Sequence, residues 1–146
     1  MLEKDITAEL KLLLEKTKNE ENENFIVTFE IPDTIKQLLE DQIDKEFDNY
    51  KFAIDAYSLK HIFKAHGNQL KEESRGQIAI KEENILLIPK VLASPDLCFY
   101  DGTNRVGREV FQFQKKIGDL YIVIKEVRSG KKLLALNSMR IIKKAD

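Results

Sequence analysis

Leu120-Tyr121-Ile122-Val123-Ile124-Lys125-Glu126-Val127-Arg128-Ser129-Gly130-Lys131-Lys132-Leu133-Leu134-Ala135-Leu136-Asn137-Ser138-Met139-Arg140-Ile141-Ile142 reads as one antiparallel hairpin. Both arms are rich in β-branched and other apolar residues, and Ser129-Gly130 supplies the turn signal between them. Pairing Arg128 with Lys131 sets Glu126 opposite Leu133, Ile124 opposite Ala135 and Tyr121 opposite Ser138. By this parity Ile122, Ile124, Glu126, Leu133, Ala135, Met139 and Ile141 form a core face. Tyr121, Val123, Lys125, Leu134, Leu136, Ser138 and Arg140 then form a half-open binding face, and a bulge would reverse part of the assignment.

Upstream, Leu97 to Tyr100 and Arg108 to Lys115 complete a predicted set of four strands, with Asp101-Gly102 as a further turn signal and Gly102 to Gly107 as a long hairpin loop. Short links predict an antiparallel meander. The N-terminal half is predominantly helical in pattern. Leu2, Ile6, Leu10, Leu13 and Leu14 predict a helix over 3–18, and a polar loop follows from Lys18 to Asn24. Phe25 to Ile31 reads as a strand stopped by Pro32, with Asp33 as the cap of a helix over 34–47. Lys51 to Ile54 is a short extended piece, and a third helix begins at Asp55 and ends at Gly67 in a left-handed terminus. Residues 68–80 read as a surface loop, and 82–93 as a helix bent or broken at Pro89. The predicted class is α+β: one domain over 1–146, its N-terminal helices packed on a four-stranded antiparallel sheet.

At 146 residues, 42% hydrophobic and 34% charged, the chain has neither a disordered nor a membrane composition. No apolar run is long enough to span a bilayer, and the start lacks a signal-peptide pattern, so a cytoplasmic protein without a membrane partner is expected. Cys98 is the only cysteine, which leaves no internal disulfide. Charge is unevenly spread. Residues 1–50 hold 6 Lys/Arg against 14 Asp/Glu, a net of −8, whereas residues 51–146 hold 18 against 11, a net of +7. An acidic helical segment thus precedes a basic part, either as two ordinary solvated surfaces or as a decoy lying against a basic working face.

Both histidines sit in one predicted helix. Leu59, Ile62, Phe63 and His66 share its apolar stripe, and His61 lies five residues before His66, roughly 140° around the axis. Each histidine also reads as an ordinary core, capping or surface residue. Glu72-Glu73 and Glu82-Glu83 are adjacent pairs that diverge in direction, no HExxH or phosphate-binding glycine loop occurs, and neither a metal nor another cofactor is predicted.

The run Asp55-Ala56-Tyr57-Ser58-Leu59-Lys60-His61-Ile62-Phe63-Lys64-Ala65-His66-Gly67 resembles the paired-histidine helix of phage-type nuclease domains in the barnase–EndoU–colicin–RelE-like (BECR fold) superfamily of ribonucleases. Arg75-Gly76-Gln77, Ile88-Pro89 before Ser94-Pro95-Asp96, Tyr121 to Arg128, and Leu134-Ala135-Leu136-Asn137-Ser138-Met139 extend the resemblance over about residues 51–142. It implies N-terminal helices before an antiparallel sheet, metal-independent endoribonuclease activity, a phage, prophage or toxin setting, and RNA as substrate. It nominates His61, His66, Lys125, Glu126 and Ser138 as catalytic, and Arg75 as a substrate contact. Barnase itself places its catalytic histidine near the C-terminus, whereas no histidine follows His66 here.

Metal-free RNA cleavage needs a base for the 2′-hydroxyl proton, an acid for the leaving 5′-oxygen, and cations around the phosphorane. Histidine suits the first two roles. The expected arrangement makes His61 acid or base with His66 or Glu126 as counterpart, Lys125, Arg75, Arg128 and Arg140 as cations, Ser138 as a phosphate donor and Tyr121 as a stacking ring. Glu126 reads equally as the partner of a buried Lys or Arg, and Lys125 and Arg128 as solvated strand residues. The alternative function is a non-catalytic RNA-binding or phage-assembly module, and a neutralising immunity or antitoxin protein is a possible partner.

Overall fold

The structure, a computed structural model, describes residues 3–18 and 26–143. Leu2, the polar stretch after Lys18 and Phe25 lie outside the described residues. Helix α1 (Glu3–Lys18) precedes β1 (Ile26–Glu30), α2 (Asp33–Glu40), β2 (Lys51–Asp55), α3 (Ala56–His66), α4 (Gln69–Ser74) and β3 (Gln77–Ile78). There follow α5 (Glu82–Ile85), α6 (Ile88–Ala93), β4 (Leu97–Thr103), β5 (Glu109–Ile117), β6 (Asp119–Arg128) and β7 (Leu133–Ile142). The class is α+β. Among the described residues the sheet has seven strands, not four, in the order β1-β2-β7-β6-β5-β4, with β3 also paired to β7. The four C-terminal strands form the expected antiparallel meander, and β2 joins it parallel to β7.

Several local expectations are corrected. Asp33 does not cap α2; Pro32 occupies the cap position without a side-chain bond. The helix stops at Glu40 instead of running to residue 47. Leaving the helix frees Gln42 to bridge the backbone of edge strand β4, donating to the Cys98 carbonyl at 3.2 Å and accepting from the Tyr100 amide at 2.8 Å. Gly67 has φ −94°, not a left-handed value; glycine fits there because a Cβ would run into the Phe63 carbonyl. Residues 68–80 carry α4 and β3, since Asn68 accepts from the Lys71 amide and starts a helix. The expected break near Pro89, by contrast, is present: residues 82–93 form two helices, and Pro89 lies in the first turn of the second, α6.

The largest correction concerns the hairpin faces. Arg128 pairs with Leu133, which leaves a four-residue link with Lys132 at φ 54°. A register shift between Ile124 and Lys125 makes Asn137 an extra residue of β7, because Ile124 pairs with Ser138 and Lys125 with Leu136. The apolar phase of β7 changes there: Leu134 and Leu136 before it, and Met139 and Ile141 after it, all enter the main core. With them lie Tyr121, Val123 and Val127 of β6, Phe111 and Phe113 of β5, and side chains of α1, α3 and α6. Ile122 and Ile124 face the other way and form a small cluster with Val110, bordered by Leu120 and Ile142. On β6 the side expected to be core, with Ile122, Ile124 and Glu126, is therefore the uncovered one, and Arg128, Ser138 and Arg140 share it, whereas Met139 and Ile141 of the same expected set do enter the core. Helix α1 packs on α3 and β1 on the covered side, so this part of the acidic segment does not lie over the uncovered face.

Lys125 is the exception within the covered layer. Its side chain is fully buried beside the Phe52 ring and donates from Nζ to the Ala53 carbonyl at 2.6 Å, clipping β6 to β2 beneath β7. Burial pushes the ammonium well below its usual value of 10.5; the Asp55 charge opposes that shift and Arg128 adds to it. The unfolded chain therefore holds this proton to higher pH than the folded one, and stability rises with pH between the lowered value and 10.5. Lys125→Met should flatten that rise in urea-unfolding midpoints; a slope equal to the parent's would show that the lysine is not its source.

Candidate active site

Glu126 is the centre of the uncovered face. One carboxylate oxygen, Oε2, accepts from Arg108 Nη1 at 2.6 Å and from Arg128 Nε at 2.7 Å. The other, Oε1, accepts from Asn104 Nδ2 at 3.0 Å. The Glu126 side chain is only 8% exposed, whereas Arg108 and Arg128 are 48% and 24% exposed. A carboxylate at that depth needs such partners, and charge-assisted bonds of this length are strong. Their remaining N–H groups stay partly accessible to solvent. Arg128 also reaches Asp55 Oδ2 at 3.7 Å, which ties β6 to the end of β2.

Local sequence explains how Arg108 arrives. In the link between β4 and β5, Asn104 Oδ1 accepts from the Val106 and Arg108 amides, and Gly107 adopts φ 83°. This compact turn folds Arg108 back over β6. Asn104 Nδ2 also donates to Asn137 Oδ1 at 3.1 Å, so the bulge residue and the turn hold each other. A cavity of about 670 Å³ opens beside the clasp, lined by Gly107–Glu109 and by Val127 through Lys131. Lys45 borders the same region, donating to Ser129 Oγ at 2.7 Å and lying 3.5 Å from Glu109.

Ser138 lies opposite Ile124, and Arg140 opposite Ile122, so both belong to the Glu126 face and are half-buried. The expected binding face had grouped them with Tyr121 and Lys125, and this is corrected. Tyr121 is 5% exposed in the main core, and its hydroxyl accepts from Asn84 Nδ2 at 2.9 Å, so it offers no ring face for stacking. Lys125 is enclosed on the same side and is not a solvated strand residue.

The histidine helix enters this arrangement at an edge. β2 pairs with β7 from Leu133 as far as Ala135, and β3 rejoins the same edge at Ile141 and Ile142. Helix α3, capped by Asp55 accepting from the Ser58 amide at 2.7 Å, links the two and packs on β7. His61 is exposed, and Leu59 and Ile62 are buried, as the helical stripe predicts. His66 is directed elsewhere: its Nδ1 lies 3.2 Å from Glu72 Oε2, whose Oε1 accepts from Arg75 Nη1 at 3.1 Å. Among the described residues no hydrogen bond or ion pair joins either histidine to Glu126, Arg128, Ser138 or Arg140. Among the nominated residues, Glu126 with Arg128, Ser138 and Arg140 form one group and His66 with Arg75 another, while His61, Lys125 and Tyr121 belong to neither.

Glu72, Asn104, Arg108 and Asn137 are polar residues the sequence reading left without a role. Glu72 was hidden in an acidic pair that looks solvated; Asn68, a helix-starting residue four positions earlier, was the available signal. For Asn104 the signal was its place before Gly107, and for Asn137 the change of apolar phase in β7.

The family model described as phage-Barnase-EndoU-ColicinE5/D-RelE like nuclease3 matches residues 30–146. No curated protein and no solved structure matches the chain.

Glu72 is fully buried and Glu73 beside it is exposed, which makes a paired test. Glu72→Ala removes the buried acceptor shared by the His66 ring and the Arg75 guanidinium and should cost about 1–3 kcal/mol in chemical denaturation. Glu73→Ala should stay within about 0.5 kcal/mol. Equal effects of the two substitutions would contradict the assigned roles.

Proposed function

The chain belongs to the family of phage-Barnase-EndoU-ColicinE5/D-RelE like nucleases, and from that membership we propose that it is a metal-independent endoribonuclease working on the uncovered sheet face. The observation that carries this reading is the Glu126 carboxylate held between Arg108 and Arg128 beside an open cavity. A base flanked by cations is what attack by a 2′-hydroxyl on the adjacent phosphate requires.

In the proposed reaction, Glu126 takes the 2′-hydroxyl proton as that oxygen bonds to phosphorus. Arg108 and Arg128 stabilise the phosphorane charge, with Arg140 and the Ser138 hydroxyl as further donors to phosphate oxygens. The 5′-oxygen departs with a proton from an acid, leaving a 2′,3′-cyclic phosphate. His61, exposed on the helix beside β7, is the proposed acid. His66 is assigned to support: its bond to Glu72 holds the end of α3 against α4. Lys125 acts from beneath, positioning β6 against β2.

RNA is the proposed partner and the cytoplasm the proposed compartment. A toxic activity of this kind would call for a neutralising immunity or antitoxin protein in the cell that makes it. One observation favours the second reading, a non-catalytic RNA-binding or phage-assembly module: the Glu126 carboxylate is satisfied by partners within the chain, as in a structural ion-pair web.

Incubation with mixed RNA, including tRNA, in excess chelator separates the two. The enzyme reading predicts products ending in 2′,3′-cyclic phosphate. Glu126→Gln and His61→Ala should each lower the rate by roughly 10²–10⁴-fold. Lack of cleavage across those RNAs would support the binding module, and an unchanged rate in His61→Ala would remove the histidine from the chemistry.

A further inference from the structure

The uncovered face continues beyond Glu126 across β5 to the edge strand β4. Cys98 joins the main core and Tyr100 packs against it, so Leu97, Phe99 and Asp101 point to the uncovered side. Phe99 pairs with Gln112, which pairs with Ile124; Leu97 pairs with Gln114, which pairs with Ile122. The two glutamine amides are linked, Gln114 Nε2 donating to Gln112 Oε1, and Gln112 Nε2 donates in turn to Asp101 Oδ2 at 3.1 Å. They are held in place beside the aromatic ring.

Phe99 is unusual among the large apolar residues. It is half-buried, yet it packs in neither hydrophobic cluster and stacks with no other aromatic ring among the described residues. Leu97 beside it is 50% exposed. The ring lies two strands across and two residues along from Glu126, roughly 10 Å by 7 Å on the sheet surface. Cations flank this surface: Lys116 follows Gln114 in the same alternation, and Arg140 lies on β7.

We infer that Phe99 is the stacking platform for an unpaired base of the substrate, which makes this face a single-strand RNA subsite continuous with the Glu126 site. The inference rests on the nuclease reading above for the identity of the ligand. An aromatic ring accepts the face of any base, whereas the bases of a duplex are stacked on one another and withheld. The fixed Gln112 and Gln114 amides supply donors and acceptors for base edges, and the cations take the backbone phosphates. Single-stranded RNA is therefore the substrate class, and Phe99 acts on binding, not on the bond broken.

A single-stranded 2′-O-methyl oligoribonucleotide tests this without cleavage, since it has no free 2′-hydroxyl to attack. Phe99→Ala should weaken its binding roughly 5- to 100-fold, whereas Phe99→Tyr should bind within about twofold of the parent. The chain has no tryptophan, so Phe99→Trp introduces a single reporter. Its emission should be quenched on saturation by the single strand, while that of Leu70→Trp, at an exposed site on α4, should not. Should Phe99→Ala prove poorly folded, the tyrosine and tryptophan variants carry the test. Parent-like binding by Phe99→Ala, unquenched Phe99→Trp, or equal quenching by a duplex would overturn the inference. If these binding results hold and RNA is not cleaved, the platform stands and the catalytic reading falls. If RNA is cleaved and Phe99 is indifferent, only the platform falls.

Discussion

One extra residue in β7 governs which side chains meet. Asn137 sits opposite the step between Ile124 and Lys125, so the alternation of β7 shifts by one position halfway along. Without that shift, either Leu134 and Leu136 or Met139 and Ile141 would face away from the helices. All four are at or below 1% exposure in the main core, a burial worth roughly 1.5–3 kcal/mol for each large side chain. The same shift moves Ser138 and Arg140 to the side that already holds Glu126 and Arg128. Core packing and site assembly are thus set by one irregularity, and Asn137 is fixed by Asn104 from the turn that also delivers Arg108.

The consequence is a division of labour across the sheet. On one side, helices exclude water so fully that a lysine is stripped of solvent and a thiol is raised: burial pushes Cys98 to about 12. On the other, a small apolar floor of Val110, Ile122 and Ile124 supports a polar layer with guanidiniums open to solvent. Polar groups on such a floor act in a lower effective dielectric than in bulk water, which strengthens their hold on an anionic ligand. The net basic charge of residues 51–146 is consistent with a surface built to meet phosphate.

Much of this was legible in the sequence. The apolar alternations of 97–142 gave the four-strand meander, and helical spacing in 56–66 separated the directions of the two histidines. The errors had distinct causes. Ser129-Gly130 suggested a tight turn, but Lys131 and Lys132 belong to the link as well, so the register at the hairpin mouth moved by two residues, an even slip that leaves each side chain on its face. On β6 every residue from Tyr121 to Val127 is buried, so its composition carries no sign of which side the helices cover. The phase change between Leu136 and Met139 was visible in the sequence and marked the bulge. β1 and β2 fall where Phe25 to Ile31 and Lys51 to Ile54 read as extended, but their pairing into the sheet, like the two-residue β3, depends on long-range contacts that local pattern does not encode.

The most direct measurement follows methyl resonances of Ile122, Ile124, Val123 and Met139 by NMR during titration with an uncleavable single-stranded oligonucleotide. Ligand on the face that holds Glu126 should shift the Ile122 and Ile124 methyls and leave those of Val123 and Met139 close to their free positions. Shifts confined to Val123 and Met139, or none at saturation, would mean that the face carrying Glu126 is not where nucleic acid binds.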